Sequence, residues 1–174
     1  MSANDIGNAG EHLVCARLLL AGFRVYVAPR GQSCFDLVAE WPATGRLNRI
    51  RVKCGGDGSI KWNAKKDAAV LPDLDRERAD DFSVCVDARD ADRPIFYVVP
   101  SVVVEDKLNE GYRHAQQLGR LDGKPWKPHR FRMIRWDGND KPRDICFGFA
   151  EKWSGYRDAF DQLKGVDVRL ARAA

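Results

Sequence analysis

Apolar and charged residues alternate along Arg49-Ile50-Arg51-Val52-Lys53-Cys54. On a strand this puts Ile50, Val52 and Cys54 on one face and Arg49, Arg51 and Lys53 on the other. A shorter alternating run, Phe35 to Trp41, precedes it, and the residues between, Pro42-Ala43-Thr44-Gly45-Arg46-Leu47-Asn48, favour a turn. Together they predict a β-hairpin. Phe35, Leu37 and Ala39 form the apolar set of the first strand, with Asp36 among the others. If the two apolar faces align, Asp36 shares the opposite face with Arg51 and Lys53. A register setting Asp36 across from Lys53 achieves this, whereas a one-residue slip turns Asp36 to the wrong side.

The same reading predicts the other elements. A helix capped by Asn4 or Asp5 runs to about Ala21 and closes at Gly22, and a strand follows over Phe23 to Ala28. Residues 29–33 form a loop carrying Arg30. Gly55-Gly56-Asp57-Gly58 ends the second hairpin strand and is flexible by composition. Ser59 to Asp81 shows no clear period, though Lys61, Lys65 and Lys66 surround Trp62 there. Strands are expected at Phe82 to Asp87 and Pro94 to Pro100. The second is almost uniformly apolar, which predicts a central place in the sheet. Ser101 opens a helix to about Leu118. The basic, aromatic stretch Gly123 to Arg132 leads into a strand through Met133 to Arg135. A terminal helix over Glu151 to Leu163 buries Trp153, Tyr156, Phe160 and Leu163. The expectation is one domain over 1–164 and a flexible tail over 165–174.

Composition narrows the functional classes. The chain has 174 residues, 44% hydrophobic and 31% charged, which describes a soluble globular protein. Its 29 Lys and Arg against 25 acids give a net +4, which permits nucleic-acid binding without demanding it. No apolar run approaches a membrane span, and the polar start with Asp5 is not a secretory signal. Cysteines at 15, 34, 54, 85 and 146 form no CxxC pair and read as reduced thiols of a cytoplasmic protein. His12, His114 and His129 lack ligand spacing with any Cys, which argues against zinc.

An Asp opening one strand, followed by an acid-x-Lys position on the next, resembles the metal-dependent PD-(D/E)XK nucleases. These include restriction endonucleases, Holliday-junction resolvases and intron-associated endonucleases. Upstream, Gly7-Asn8-Ala9-Gly10-Glu11 is similar to the family's first helix with its Glu, and Gly22-Phe23-Arg24-Val25-Tyr26 to the strand after it. The match covers roughly Ile6 to Cys54 well and the remainder loosely. It implies an α/β fold with a restriction-endonuclease-like mixed β-sheet, an αβββαβ core, flanked by helices. It also implies Asp36 as a metal ligand, Lys53 as the catalytic cation, the Val52 carbonyl as a backbone ligand, Glu11 as an accessory acid, and Mg²⁺ or Mn²⁺ as cofactor. A carboxylate in the first turns of a helix is equally explained by the helix dipole, so Glu11 keeps that reading beside the metal one.

The sequence departs from the family at the acid position, which Arg51 occupies. A guanidinium has donors and no acceptor and cannot ligate a metal. Two other acids are candidates for its place. Glu40 lies roughly 13 Å along the strand from Asp36, at about 3.3 Å per residue, which is too far to share one ion, and Asp57 lies past the strand end on the Gly-rich loop, from which it could swing back. The leading expectation is a nuclease-fold protein that binds nucleic acid, DNA before RNA, with catalysis impaired at Arg51. Arg51 and Lys53 would grip a phosphate, with Arg30, Lys61, Lys124, Lys127, Arg130 and Arg132 as further contacts. A salt bridge from Arg51 to Asp36 is the structural alternative. An active Mg²⁺-dependent endonuclease with a relocated acid is the second expectation, and a protein-interaction module that keeps only the scaffold is the third. Many members of the family are dimers, so a homodimer is compatible with each.

Overall fold

The computed structural model describes residues 3–29, 35–63, 81–119, 131–138 and 146–165. Helix α1 (Ala3–Leu20) is followed by β1 (Arg24–Val27), β2 (Leu37–Trp41), β3 (Arg46–Gly55), β4 (Ser59–Asn63), β5 (Asp81–Asp87) and β6 (Ile95–Pro100). Helix α2 (Ser101–Leu118), β7 (Phe131–Arg135) and the short α3 (Phe149–Lys152) complete it, with 3-10 turns at Ser154–Tyr156 and Phe160–Lys164. Gly22, at φ +88°, turns the chain out of α1, and the Phe23 N–H returns to the Leu18 carbonyl at 3.0 Å.

The architecture is mixed α/β. Five strands form one sheet in the order β1-β2-β3-β5-β6, and β4 and β7 pair as a separate antiparallel ribbon. Among the described strands only β3 and β5 run parallel, and the other neighbours in the large sheet are antiparallel. The expected hairpin is β2–β3, but its register sets Leu37 opposite Ile50, where Asp36 opposite Lys53 would have set Leu37 opposite Val52. The difference is two residues, and because the side-chain period is also two, each residue keeps its expected face.

Each face of the large sheet carries its own core. Ile50, Val52, Val84, Val86, Phe96 and Val98 pack with Val14 and Leu18 of α1. Cys85, Tyr97 and Val99 pack on the other side with Val104 and Leu108 of α2 and with Ile60, Trp62 and Ile134 of the ribbon. Alternation along β3 thus leaves Arg51 and Lys53 on the face away from α1.

Two expectations fail for physical reasons. β6 is an edge strand, not a central one. Its apolar run is explained by the burial of both faces, and its outer edge is occupied by the C-terminal segment. There the Asp158 N–H bonds the Phe96 carbonyl at 2.8 Å and the Gln162 amide bonds the Val98 carbonyl at 3.1 Å. The expected helix over 151–163 is broken into α3 and two 3-10 turns, with Asp158 at φ +50° between the turns. Trp153, Phe160 and Leu163 are nevertheless buried as expected. The stretch that showed no period contains β4, and from residue 166 the expected tail lies outside the described residues.

The α1–β3 contact is close enough to be tested. A β-carbon added at Gly10 would overlap that of Cys54. Gly10→Ala is therefore expected to destabilise the protein by about 1–3 kcal/mol through overpacking, although Ala favours a helix. Urea denaturation would read the loss. Adding Cys54→Ala should not restore stability, because that substitution keeps the offending β-carbon.

Candidate nucleic-acid interface

The charged row of β3 lies level with β5. Arg49 stands opposite Asp81, Arg51 opposite Ser83 and Lys53 opposite Cys85. The three cations are not equivalent. Arg49 forks onto Asp81, with Nε donating to Oδ1 at 2.6 Å and a second nitrogen donating to Oδ2. Its guanidinium also lies 5.7 Å from the Phe35 ring centroid. Arg51 instead lies beside Ser83, whose hydroxyl pairs with that of Ser101 at 3.1 Å.

Asp36 stands immediately before β2 and is fixed on several sides. Its N–H donates to the Ile50 carbonyl at 2.9 Å, and its carbonyl accepts the Ala28 N–H at 2.9 Å. Its carboxylate Oδ2 accepts the Val52 N–H at 2.7 Å. The group of Val52 that meets Asp36 is thus the amide N–H, a donor.

Lys53 senses the whole neighbourhood. Its ammonium is held below the usual lysine range, first by burial and then by Arg51, while Asp36, the Cys85 thiol and Glu11 pull the other way. Asp36, Arg51 and Lys53 therefore share one electrostatic neighbourhood, with Glu11 on α1 the smallest contributor to it. The Cys85 thiol is pushed up to about 12 by burial, against the pull of Lys53, so it is a packed neutral neighbour and not a nucleophile.

A folded state that depresses a lysine disfavours its charge. Below the folded pKa the ammonium is charged both folded and unfolded, and the cost of burying it is fully present. That cost fades as pH rises from the folded pKa toward 10.5. Lys53→Met is therefore expected to stabilise the protein by about 0.5–2 kcal/mol at pH 7, the scale typical when a functional compromise is relieved. The gain should shrink in thermal melts at alkaline pH. An unchanged or lowered Tm at pH 7 would contradict this account of Lys53.

The acids weighed as substitutes are engaged elsewhere. Glu40 accepts from Arg24 at 3.0 Å and from the Tyr26 hydroxyl at 2.8 Å, a bond that raises the Tyr26 pKa. Asp57 accepts from the Ser59 hydroxyl at 2.8 Å and its N–H at 3.0 Å, and these bonds hold its carboxyl low. It closes the turn into β4. A hard divalent cation needs oxygen ligands, yet here Asp36 faces Arg51 and Lys53. Among the described residues no three His, Cys, Asp or Glu side chains gather as a cation site.

Of the wider cation set, Lys61 is exposed on β4. Arg132 is a correction. It is only 3% exposed, and its guanidinium lies over the Tyr112 ring at 3.5 Å, so it is a packing residue and not a surface phosphate contact. Burial lowers its pKa, with the Tyr112 hydroxyl opposing. Arg30, Lys124, Lys127 and Arg130 lie outside the described residues. One ionic cluster escaped the sequence reading. Arg89 chelates the buried Asp87 through Nε and Nη2, at 2.9 and 2.7 Å to its nearest oxygens, and also reaches Asp137. It ties the end of β5 to the residues after β7.

No helix among the described residues is long and apolar enough to cross a membrane. No family model matches the chain, and no curated protein matches it. Among solved structures it is similar to that of a bacterial homing endonuclease, I-Ssp6803I, at 16% identity and a TM-score of 0.49. The alignment covers 99% of this chain and 100% of that one.

Proposed function

We propose that the protein is a nucleic-acid-binding member of the PD-(D/E)XK nuclease group, acting on DNA, in which Arg51 replaces the metal-binding acid and impairs catalysis. The observation that carries this reading is the grouping of Arg51 and Lys53 on one face of β3 near Asp36, with Arg51 where the resemblance requires a carboxylate. Arg offers a planar fork to a phosphate and Lys a point charge, so the pair can hold a backbone phosphate without a metal. Asp36 then positions β3 through the Val52 amide instead of holding an ion. Mg²⁺ or Mn²⁺ belongs to the active relatives' chemistry, and this donor set weakens it.

The test measures duplex DNA binding across a salt series, then plasmid nicking in Mg²⁺ and Mn²⁺. Binding that weakens steeply with salt, without nicking, is the expected result. Salt-independent binding, or none, would sink the nucleic-acid reading in favour of a protein-interaction scaffold. Metal-dependent nicking that Asp36→Ala abolishes would instead identify an active endonuclease with another acid in place.

A further inference from the structure

The large sheet ends at β1, which among the described strands pairs with β2 alone. The Ala28 N–H bonds the Asp36 carbonyl at 2.9 Å, in the same register as the strand pair. Bonded and non-bonded pairs alternate along an antiparallel ladder, so Arg24 and Tyr26 turn their backbone groups toward β2. Val25 and Val27 turn theirs outward, and no described residue bonds them there. Edge strands are commonly blunted by lysine, proline, a bulge or a covering segment. β1 reads Arg24-Val25-Tyr26-Val27, and its one charge is already engaged, Arg24 with Glu40 at 3.0 Å. Val27 is 67% exposed and Tyr26 51%. Of the seven exposed large hydrophobic residues among those described, Leu19, Leu20, Tyr26 and Val27 lie on β1 or at the end of α1 that leads into it, so exposed apolar surface is concentrated at this edge.

We propose that β1 pairs antiparallel with β1 of a second copy of this chain, about a twofold axis through Tyr26. In that register Val25 lies opposite Val27 of the second copy, and the two Tyr26 residues lie opposite each other. The outward N–H and carbonyl groups of Val25 and Val27 are then all satisfied across the axis. The edge is self-complementary. Apolar residues meet apolar residues, and Arg24 lies opposite Ala28 of the second copy, so no like charges face each other. That complementarity favours a second copy over a strand of another protein. The axis stands perpendicular to the sheet, so the two sheets join into one whose faces are continuous. The pairing does not use the charged row of β3 and is independent of the function proposed for it.

Sedimentation velocity of the nucleic-acid-free full chain, over a concentration series, reads the association. A monomer–dimer equilibrium is expected with a Kd of about 1–100 μM, because so short a ladder belongs with the small, weak interfaces. Val27→Pro removes an outward N–H that β2 does not use, a change that edge strands tolerate. It should weaken association about tenfold or more, with little change in Tm. Tyr26→Cys puts a thiol on the axis, where the α-carbons of a non-bonded pair are about 4.5 Å apart, within reach of a disulfide. In oxidised glutathione it should give a cross-linked dimer on a non-reducing gel. Val27→Cys, which lies opposite Val25 and not opposite its own copy, should cross-link no more than wild type. A monomer at every concentration overturns the proposal and leaves the edge to a strand from another protein. A dimer that Val27→Pro leaves unchanged overturns it too, and equal cross-linking by the two cysteine variants overturns the axis through Tyr26. If Val27→Pro fails to fold, the cysteine variants, both at exposed positions, still decide the matter.

Discussion

Alanine at both Arg51 and Lys53 is expected to weaken duplex DNA binding about a hundredfold at 0.1 M salt and to flatten the salt dependence by about two phosphate contacts. Each neutralised phosphate contributes a slope of about 0.9 in log affinity against log salt. At 0.1 M that amounts to roughly one decade per contact. The comparison that makes the test sharp is Arg49→Ala. Arg49 lies on the same strand face, but its guanidinium is forked onto Asp81. Its removal should therefore change affinity less than that of Lys53. Equal losses at Arg49, Arg51 and Lys53 would mean that only the total charge of β3 matters. No loss at Arg51 and Lys53 would remove this face from the interface. A thermal melt of the double variant beside the wild type separates lost binding from simple unfolding.

The second large effect concerns the core. Trp136, 1% exposed, stacks on Tyr97 with ring centroids 4.6 Å apart and planes at 16°, and meets Trp153 edge-on at 6.5 Å. Its backbone N–H donates to the Gly58 carbonyl, and its carbonyl accepts the Ala150 N–H, each at 3.1 Å. One residue thus joins β6, the turn before β4, and α3. Trp136→Ala is expected to destabilise the protein by about 3–5 kcal/mol, from lost burial plus the cavity left behind. Against the ~5–15 kcal/mol of a typical domain, that leaves the fold marginal. Denaturant titration should show a large fall in midpoint with a similar slope. A loss below about 1 kcal/mol would show that the residues around Trp136 can collapse into the space.

Much of this was readable where side-chain period and end signals agree. α2 runs Ser101–Leu118 and ends before Gly119 as expected, but Pro100 holds the N-cap position without a side-chain cap, and the Ser101 hydroxyl pairs with that of Ser83 instead. The faces of β3 follow from its alternation, and with them the grouping of Asp36, Arg51 and Lys53. The failures arise where one pattern has two causes. The apolar run of β6 reports burial on both faces, but sheet order depends on the C-terminal segment that covers its edge, a tertiary fact. The run from Trp153 to Leu163 is amphipathic, yet its backbone follows β6 instead of a helix axis. Arg132 was grouped with surface cations because of its basic neighbours. Strand parity carried the correct signal, since Arg132, Ile134 and Trp136 share one side, and all three are buried. The engagement of Glu40 depended on register, because Arg24 stands directly opposite it. Gly55 was read as flexible, whereas an added β-carbon there would strike the Ser59 carbonyl, so it is a site of close backbone approach.

The parallel ladder of β3 with β5 has one more consequence. It joins two antiparallel units, β1-β2-β3 and β5-β6, each made of strands paired with their sequence neighbours. β3 is therefore flanked by a strand on each edge, and backbone engaged on both sides is the least free to open. The cations it carries stand on a rigid frame, so their spacing along the strand is fixed in advance.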